Sequence, residues 1–215
     1  MNAALDSLRH CTACNLYRNQ QPLIAKSGQP RLMWIGISAQ KADAGKRHEP
    51  LAPDTKTGSV LAEIEARCGL GTFYKTNLVK CLPLDNDGKI RYPSQKERHA
   101  CYPNLQFEWE TLRPEVLILL GRQPADYLAK QMRVELPPLS KSFDYQLVQM
   151  GTMSVLPIHH PSYILIYKRK LLEHYQQKIA DCIMQRPSPN GLFERASAES
   201  TCAAVRQAAP HQMAG

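Results

Sequence analysis

The sequence predicts an α/β protein, a three-layer α/β/α sandwich around a central, mostly parallel sheet of four strands. Four short and almost continuously apolar segments are typical of strands that are covered on both faces. Amphipathic helical patterns lie between them, and this alternation of strand and helix is characteristic of a parallel sheet between helix layers. The predicted strands are residues 31–36, 73–79, 115–121 and 154–158.

Four helices are predicted between and after these strands. The first, residues 58–68, carries apolar residues at helical spacing and stops at Gly69. The second starts at the capping box Ser94-Gln95-Lys96-Glu97, and a third covers residues 122–131. Ser162 is expected to cap a last, long helix. The inner face of that helix is expected to carry one apolar stripe: Leu171, Tyr175 and Ile179.

Length and composition predict one globular domain, residues 1–186, in a chain of 215 residues that is 43% hydrophobic. Residues 187–215 are rich in Pro, Ser, Ala and Gly without an apolar period, so we expect a tail or a loosely packed helix there. No apolar run approaches the roughly 20 residues of a membrane helix, and the first residues do not resemble a secretory signal. We therefore expect a cytoplasmic monomer that has no membrane segment.

The charge balance indicates an acidic partner. The formal net charge is +8, and nucleic acid is a common partner of a basic protein of this size. The basic residues concentrate in residues 41–47, 89–98 and 168–170. A basic surface can also serve solubility alone. Charge therefore favours nucleic acid as the partner.

Four cysteines have the pattern of a metal site. Cys11 and Cys14 form a C-x-x-C pair, and Cys81 and Cys101 follow far downstream. Four thiolates from separate segments suit either a tetrahedral zinc ion or an iron–sulfur cluster. A redox dithiol is less consistent with the pair, because such motifs lie near a βαβ unit and the first predicted strand begins only at residue 31. Four metal-free thiols are the remaining alternative.

Polar residues follow three of the predicted strands, where ligands bind to open parallel sheets. Residues 36–40 read GISAQ after the first strand, and Asn77 lies in the second strand, shortly before Cys81. The fourth strand runs into His159-His160-Pro161-Ser162. Neither G-x-x-x-x-G-K-S/T nor G-x-G-x-x-G occurs, so no nucleotide cofactor is expected.

Taken together, these motifs resemble the iron–sulfur uracil-DNA glycosylases of family four, over most of the chain. The resemblance rests on the C-x-x-C pair and on these segments: T-x-T-G-x-x-L at 55–61, TNLVKC at 76–81, Cys101 before an apolar helix, RPEVLILLG at 113–121 and HPS at 160–162. It implies a structural 4Fe–4S cluster near the DNA-binding surface, held by Cys11, Cys14, Cys81 and Cys101.

The resemblance also implies roles for single residues. The amide of Asn77 offers a donor and an acceptor to the edge of a flipped pyrimidine, although an Asn can also merely end a strand. His160 is expected to donate to the departing base and stabilise its negative charge. His159 is the rival for that role, and a buried structural histidine is the other alternative. Contacts to the DNA backbone are expected from Thr57, Gly58, Ser59, Pro161, Ser162 and Lys168.

The first pocket motif departs from the family pattern G-E-A/G-P-G. The position of the glutamate is Ile37, and the aromatic residue that stacks on uracil is replaced near Leu51. An aromatic platform contributes about 1–3 kcal/mol per stacked base, so its loss weakens uracil binding. Asp43 and Asp54 are nearby acids that can orient water. The residues expected to form the base pocket are Gly36, Ile37, Ser38, Gln40, Leu51 and Asn77.

Three functional hypotheses follow. The first is a monofunctional DNA glycosylase that excises a non-standard base, such as glucosylated hydroxymethylcytosine of phage DNA. The second is an ordinary uracil-DNA glycosylase with relocated acids. The third is a non-catalytic iron–sulfur protein that binds DNA, which the missing glutamate favours and the presence of both Asn77 and His160 disfavours. We take the first as the prediction.

Overall fold

The computed structural model describes residues 3–26, 30–41, 49–70 and 73–186. The predicted tail, residues 187–215, lies outside the described residues, and so does Asp43. Within the described ranges, no helix has both the length and the apolar character needed to cross a membrane.

One five-stranded sheet organises the described chain, in the order β2-β1-β3-β5-β4. Neighbouring strands are parallel except for β4 and β5, which pair antiparallel. The strands are β1 Leu32–Ser38, β2 Phe73–Val79, β3 Val116–Leu120, β4 Val148–Met150 and β5 Met153–Ile158. The predicted fold class is confirmed.

The predicted strand number was too low by one, because β4 was missed. This edge strand has only three residues, reads Val-Gln-Met and is not fully buried, so it lacks the apolar run by which the other strands were recognised. A turn containing Gly151, which has a positive φ of 58°, connects it to β5. Its pairing with Met153 to Val155 is what makes it a strand.

The helices begin and end close to the predicted signals. The hydroxyl of Thr55 accepts the N–H of Gly58 at the start of α2, and Gly69 ends this helix in the left-handed conformation. Ser94 and Glu97 form the predicted capping box of α3. The helices are α1 Ala3–Asp6, α2 Lys56–Cys68, α3 Gln95–Leu112, α4 Arg122–Met132, α5 Pro161–Tyr167 and α6 Leu172–Met184, with 3-10 helices at Ser7–His10, Asn15–Arg18 and Arg169–Leu171.

The single long helix predicted after Ser162 is two helices, α5 and α6. The N-cap of α5 is His160, whose ring nitrogen accepts the N–H of Ser162, so the predicted cap residue lies inside the helix. The chain leaves the helical conformation at Lys168, where φ is −137°, and passes through a 3-10 turn. That break takes Leu171 out of the expected apolar stripe, and this residue is 41% exposed, whereas Tyr175 and Ile179 are fully buried.

The core has two layers, one on each face of the sheet. Alternate residues of β1 face opposite sides: Leu32 and Trp34 pack with α2 and α6, whereas Met33 and Ile35 pack with α3 and α4. All four of these side chains are fully buried. The sheet is therefore covered on both faces, as its continuous apolar strands predict.

Candidate active site and cysteine site

The carboxyl ends of β1, β2 and β5 surround a cavity of about 440 Å³, called the base pocket below. His160 and Ser162 line it from the start of α5. All six residues predicted to form the base-binding surface also line it: Gly36, Ile37, Ser38, Gln40, Leu51 and Asn77. Residues from three distant segments of the sequence therefore meet at one edge of the sheet, where α/β proteins bind ligands.

Asn77 of the edge strand β2 lies across from Gly36 of β1 and is 4% exposed. A Cβ atom at position 36 would lie 2.3 Å from Oδ1 of Asn77, which is far inside contact distance. Glycine at this position therefore leaves the space in which the side-chain amide of Asn77 lies. A primary amide carries two donors and an acceptor, so it can bond to the edge of a planar heterocycle.

Leu51 contributes an apolar wall without an aromatic ring. Its φ is 53°, in the left-handed region that costs a residue with a side chain about 1–2 kcal/mol. The turn that contains Leu51 and Ala52 packs closely against α2, because a Cβ on Gly58 would lie 1.8 Å from the carbonyl oxygen of Ala52. Leu51 lies beside Gly36: its Cδ2 is 3.6 Å from a Cβ built at that glycine.

The ring of His160 is oriented by the first turn of α5. Its Nδ1 accepts the backbone N–H of Ser162 at 3.1 Å and lies 2.7 Å from the Ser162 hydroxyl. A neutral ring whose Nδ1 accepts a backbone N–H carries its proton on Nε2; this tautomer is inferred from the hydrogen bond. Burial lowers the pKa of His160 below 6.5, which favours that neutral form. His160 is thus arranged as a neutral donor at Nε2.

His159 occupies a different environment. Its Nδ1 lies 2.8 Å from the hydroxyl of Tyr145, its ring stacks on Tyr163 with centroids 5.5 Å apart, and Phe143 contacts it edge-on. Among the described residues, the lining of the base pocket includes His160 but not His159. The geometry favours His160 over its neighbour as the residue that contacts a ligand.

Of the two predicted water-orienting acids, only Asp54 is described, and it does not line the base pocket. Asp54 is exposed in the turn before α2, whereas Asp43 is outside the described residues. Glu49 does line the pocket, with its carboxylate 3.8 Å from the ammonium of Lys26. Sequence reasoning missed Glu49. Its place two residues before Leu51 was the available signal.

A larger cavity of about 1000 Å³ adjoins the base pocket and is called the outer cavity below. The two cavities share Ile37, Gln40, His160 and Ser162. The far side of the outer cavity combines basic, amide and aromatic side chains: Arg98, Arg122, Gln123, Lys130, Tyr163 and Tyr167. Nothing in the sequence predicted this cavity, because the first turns of α3 and α4 meet α5 only in the folded chain.

The residues predicted to contact DNA backbone are divided between the pocket and the surface. Thr57 and Ser162 line the base pocket, whereas Gly58 and Pro161 are buried against neighbouring segments. Two others, Ser59 and Lys168, are exposed and line neither cavity. Two further basic residues, Lys46 and Arg47, lie outside the described residues.

The four predicted metal ligands line one small cavity, called the cysteine site below. Cys11 and Cys14 lie between the two N-terminal 3-10 helices, Cys81 follows β2, and Cys101 lies on α3. Cys81 and Cys101 are each 6% exposed. The amide of Asn104 donates to the Cys11 sulfur at 3.1 Å.

The chemistry of these thiols fits a group that is bound through thiolates. Burial raises the pKa of Cys81 to about 12, and the other three cysteines add to that rise. Burial also raises the pKa of Cys101. Thiolates at such a site need a compensating positive charge, which a bound metal supplies. Within the described residues, no group of three or more His, Cys, Asp or Glu side chains is arranged around a single metal ion, so the fit rests on the four thiols that line this one cavity.

Comparison with known proteins identifies the family. A cavity at the carboxyl ends of parallel strands, lined by a few polar side chains such as Asn77 and His160, is where open α/β proteins bind ligands. The family model of the uracil DNA glycosylase superfamily matches residues 22–182. The chain belongs to that superfamily, which confirms the resemblance and the enzyme class that it implies, a DNA N-glycosylase.

Individual proteins are similar to this chain over most of its length. The type-4 uracil-DNA glycosylase of Saccharolobus solfataricus is 29% identical over 85% of this chain and 86% of that protein. The enzyme of the same name from Archaeoglobus fulgidus is 28% identical over 77% of this chain and 83% of its own. Among solved structures, SMUG2 of Pedobacter heparinus aligns with a TM-score of 0.49 and 15% identity, over 72% of this chain and 75% of that one.

Proposed function

We propose that this protein is a monofunctional DNA glycosylase that flips a non-standard base into the base pocket and hydrolyses its N-glycosidic bond. The observation that carries the proposal is that Asn77 and His160, from opposite halves of the sequence, line the same cavity in a chain of this superfamily. A base inside a duplex is inaccessible to such a cavity, so it must leave the stack before it is read.

In the proposed reaction, the bond between C1′ of the sugar and the ring nitrogen of the base breaks, and its electron pair leaves with the base. The Nε2–H of His160 donates to a carbonyl oxygen of that base and stabilises the charge, which is worth about 10²–10³ in rate for one such donor. Water adds to C1′ and loses a proton to solvent, and the departed base anion takes up a proton from solvent. The products are the free base and an abasic site.

Asn77 is the proposed reader of the base. It is buried, lies across from Gly36 and presents a donor and an acceptor to the cavity. Because the amide can turn over, the same residue suits a uracil-like or a cytosine-like edge. Selectivity among pyrimidines must therefore come from the walls of the base pocket, where Ile37 and Leu51 replace the acid and the aromatic residue of the family pattern.

These walls support a substituted pyrimidine as the substrate, with glucosylated hydroxymethylcytosine of phage DNA as the leading candidate and phage defence as the biological role. Ile37 and Gln40 border both cavities, so a base in the base pocket has room for a bulky substituent in the outer cavity. The outer cavity offers Gln123, Arg98 and the rings of Tyr163 and Tyr167, which suit a hydroxyl-rich sugar.

A second candidate function is ordinary excision of uracil in DNA repair. The observation that favours it is that the curated relatives at 26–29% identity are named type-4 uracil-DNA glycosylases. Glu49 also favours it, because this acid lines the base pocket and can orient water in place of the missing glutamate.

The cysteine site is proposed to hold a 4Fe–4S cluster through Cys11, Cys14, Cys81 and Cys101. Such a cluster would supply covalent cross-links between the N-terminal segment, β2 and α3, with no part in the bond cleavage. Four cysteines around one cavity and their dependence on a compensating positive charge support this proposal. DNA is the proposed partner, with Thr57, Ser162 and Lys168 along its backbone.

The test of this function is an excision panel. Matched duplexes carry uracil, hydroxymethylcytosine, glucosylated hydroxymethylcytosine or hypoxanthine at one position, and abasic sites are measured in single turnover. We expect the glucosylated base to be removed fastest and uracil slowly or not at all. Fast removal of uracil would favour the second candidate. Tight DNA binding without excision of any base would overturn the glycosylase proposal.

One substitution in the outer cavity tests whether the sugar of the glucosylated base lies there. Tyr167→Ala removes an exposed ring from the outer cavity and leaves the base pocket untouched. We expect it to slow removal of the glucosylated base about tenfold, as the loss of one stacking contact does, with no change for unsubstituted bases. Equal effects on all bases would place the ring against DNA instead of the sugar.

A further inference from the structure

A buried ion pair lies between the base pocket and the cysteine site. The ammonium of Lys80 contacts the Glu108 carboxylate at 2.5 Å, and these side chains are 1% and 0% exposed. Lys80 directly follows β2, and Glu108 lies on α3. Charges in such a position are costly unless every donor and acceptor is satisfied.

The network around the pair is satisfied, and it includes the backbone of Asn77. The Lys80 ammonium donates to the Asn77 carbonyl oxygen at 2.6 Å and to the Thr76 hydroxyl at 2.8 Å. Together with the carboxylate of Glu108, these acceptors use all three of its donors. Glu108 also accepts from the Tyr74 hydroxyl at 3.0 Å. The Lys80 ammonium, whose three donors are all paired, therefore holds the carbonyl group of Asn77 in place.

The main chain of Lys80 contacts the other site. Its N–H donates to the Cys101 sulfur at 3.4 Å, and its carbonyl oxygen accepts the N–H of Leu23 at 2.9 Å. Leu23 also lines the base pocket. One residue thus contacts the residue proposed to read the base, a cysteine of the proposed metal site and the segment that follows the C-x-x-C pair.

Stability alone does not explain this arrangement, because a buried ion pair is often no more stabilising than apolar residues of the same volume. We propose that Lys80, held by Glu108, is a positioning residue: it orients Asn77 toward the base and couples the cysteine site to the base pocket. This inference rests on the proposed role of Asn77 in reading the base. It assigns a function to two residues that do not touch the substrate.

The test replaces both charges at once. In the double variant Lys80→Met/Glu108→Gln, no unpaired charge remains, and the amide at position 108 can still accept from Tyr74. The matched control is Lys75→Met/Glu65→Gln, which removes another ion pair of β2, with a separation of 3.0 Å and exposures of 15% and 19%. Thr76→Val is a milder third variant that removes only the hydroxyl bridging Lys80 and Glu108.

The main readout is binding, which does not depend on turnover. The probes are duplexes with 2′-fluoro-2′-deoxyuridine or 2′-fluoro-2′-deoxycytidine, whose glycosidic bonds resist cleavage, and a duplex with an abasic site. We expect Lys80→Met/Glu108→Gln to bind the fluorinated duplex that wild type binds more tightly about tenfold more weakly than wild type does, the equivalent of one well-placed hydrogen bond. Its affinity for the abasic duplex should equal that of wild type. Excision falls about 10²-fold if the amide shifts by 1 Å.

The cysteine side of the coupling has its own readouts: visible absorbance and thermal melting of the purified variants. We expect Lys80→Met/Glu108→Gln to keep its visible absorbance at room temperature. On heating, it should lose that absorbance at a lower temperature than the control Lys75→Met/Glu65→Gln does. The inference would be overturned if Lys80→Met/Glu108→Gln bound the fluorinated and abasic duplexes with the same ratio of affinities as wild type. If that variant does not fold, the same comparison is made with Thr76→Val. Absence of any excision by wild type would instead overturn the proposed function.

Discussion

Lys80 contacts both the cysteine site, through Cys101, and the base pocket, through Asn77. The two sites are nevertheless built in different ways. The cysteine site depends on residue type, because only thiolates at Cys11, Cys14, Cys81 and Cys101 can ligate the proposed cluster. The base pocket depends on close approach, because Gly36 leaves room for Asn77 and the start of α5 orients His160. Changes at the first site are expected to be all-or-none, whereas changes at the second are expected to alter rate and selectivity.

The largest effect is expected from Cys81→Ser. The proposed iron–sulfur cluster should absorb visible light and make the protein brown. Losing one of its ligands should bleach that colour and destabilise the fold by about 4 kcal/mol or more, the range of losses that follows removal of a metal site. Visible spectra and thermal melting measure both. Cys182→Ser is the matched control, since the Cys182 thiol donates to the carbonyl oxygen of Tyr145 and does not line the cysteine site. Equal damage by both variants would contradict the metal assignment.

His160→Ala is expected to have the next largest effect. Single-turnover excision should fall about 10²–10³-fold, while affinity for an abasic duplex changes little, because the donor acts on charge that develops during cleavage. The control is His159→Phe, which keeps a ring stacked on Tyr163 and loses only the bond to Tyr145. If His159→Phe were the slower variant, the roles assigned to the two histidines would be exchanged.

Gly36→Ala tests the close approach within the base pocket. The new methyl group displaces the buried amide of Asn77, and a displacement of 1 Å can cost about 10²-fold in rate. Excision kinetics of Gly36→Ala, Asn77→Ala and the double variant measure the coupling between the two positions. We expect the glycine substitution to add nothing once Asn77 is removed. A full additional loss in the double variant would mean that Gly36 acts elsewhere.

Acid is expected to slow excision through His160. Because burial lowers its pKa below 6.5, the rate should stay constant above about pH 6.5 and fall about tenfold per pH unit once pH drops below the folded pKa. Protonation of Nδ1 removes the acceptor for the Ser162 N–H. The same shift means that the unfolded chain binds more protons over the window below 6.5, so stability also rises with pH there. His160→Gln should lack this limb of the rate profile.

The smallest effect is expected from Lys168→Ala. One lost phosphate contact should reduce the slope of log affinity against log salt concentration by about 0.9, without a change in base preference. Lys178→Ala is the control, because Lys178 is already paired with Asp144 at 3.5 Å. Titrations at several salt concentrations give both slopes. Identical slopes for wild type and Lys168→Ala would place DNA on another part of the surface.

The four predicted strands were recognised because burial on both faces makes a strand continuously apolar, a property of local sequence. β4 was not, because its three residues become a strand only by pairing with β5. The division of the last helix at Lys168 is similar, since no Pro or Gly marks the break. The four cysteines, Asn77 and His160 were predicted as site residues because their chemistry is specific to their residue type, and the fold brings them to the two cavities.

What the sequence by itself determined is therefore the fold class, the family and the residue types that carry chemistry, because periodicity and donor chemistry are local properties. The tertiary structure alone decided how those residues are held. It brought Glu49 into the base pocket, separated His160 from His159, and opened the outer cavity between the first turns of α3 and α4 and helix α5. It also placed Glu108 against Lys80 across 28 residues of chain. Such contacts depend on packing between distant elements, which no local pattern encodes.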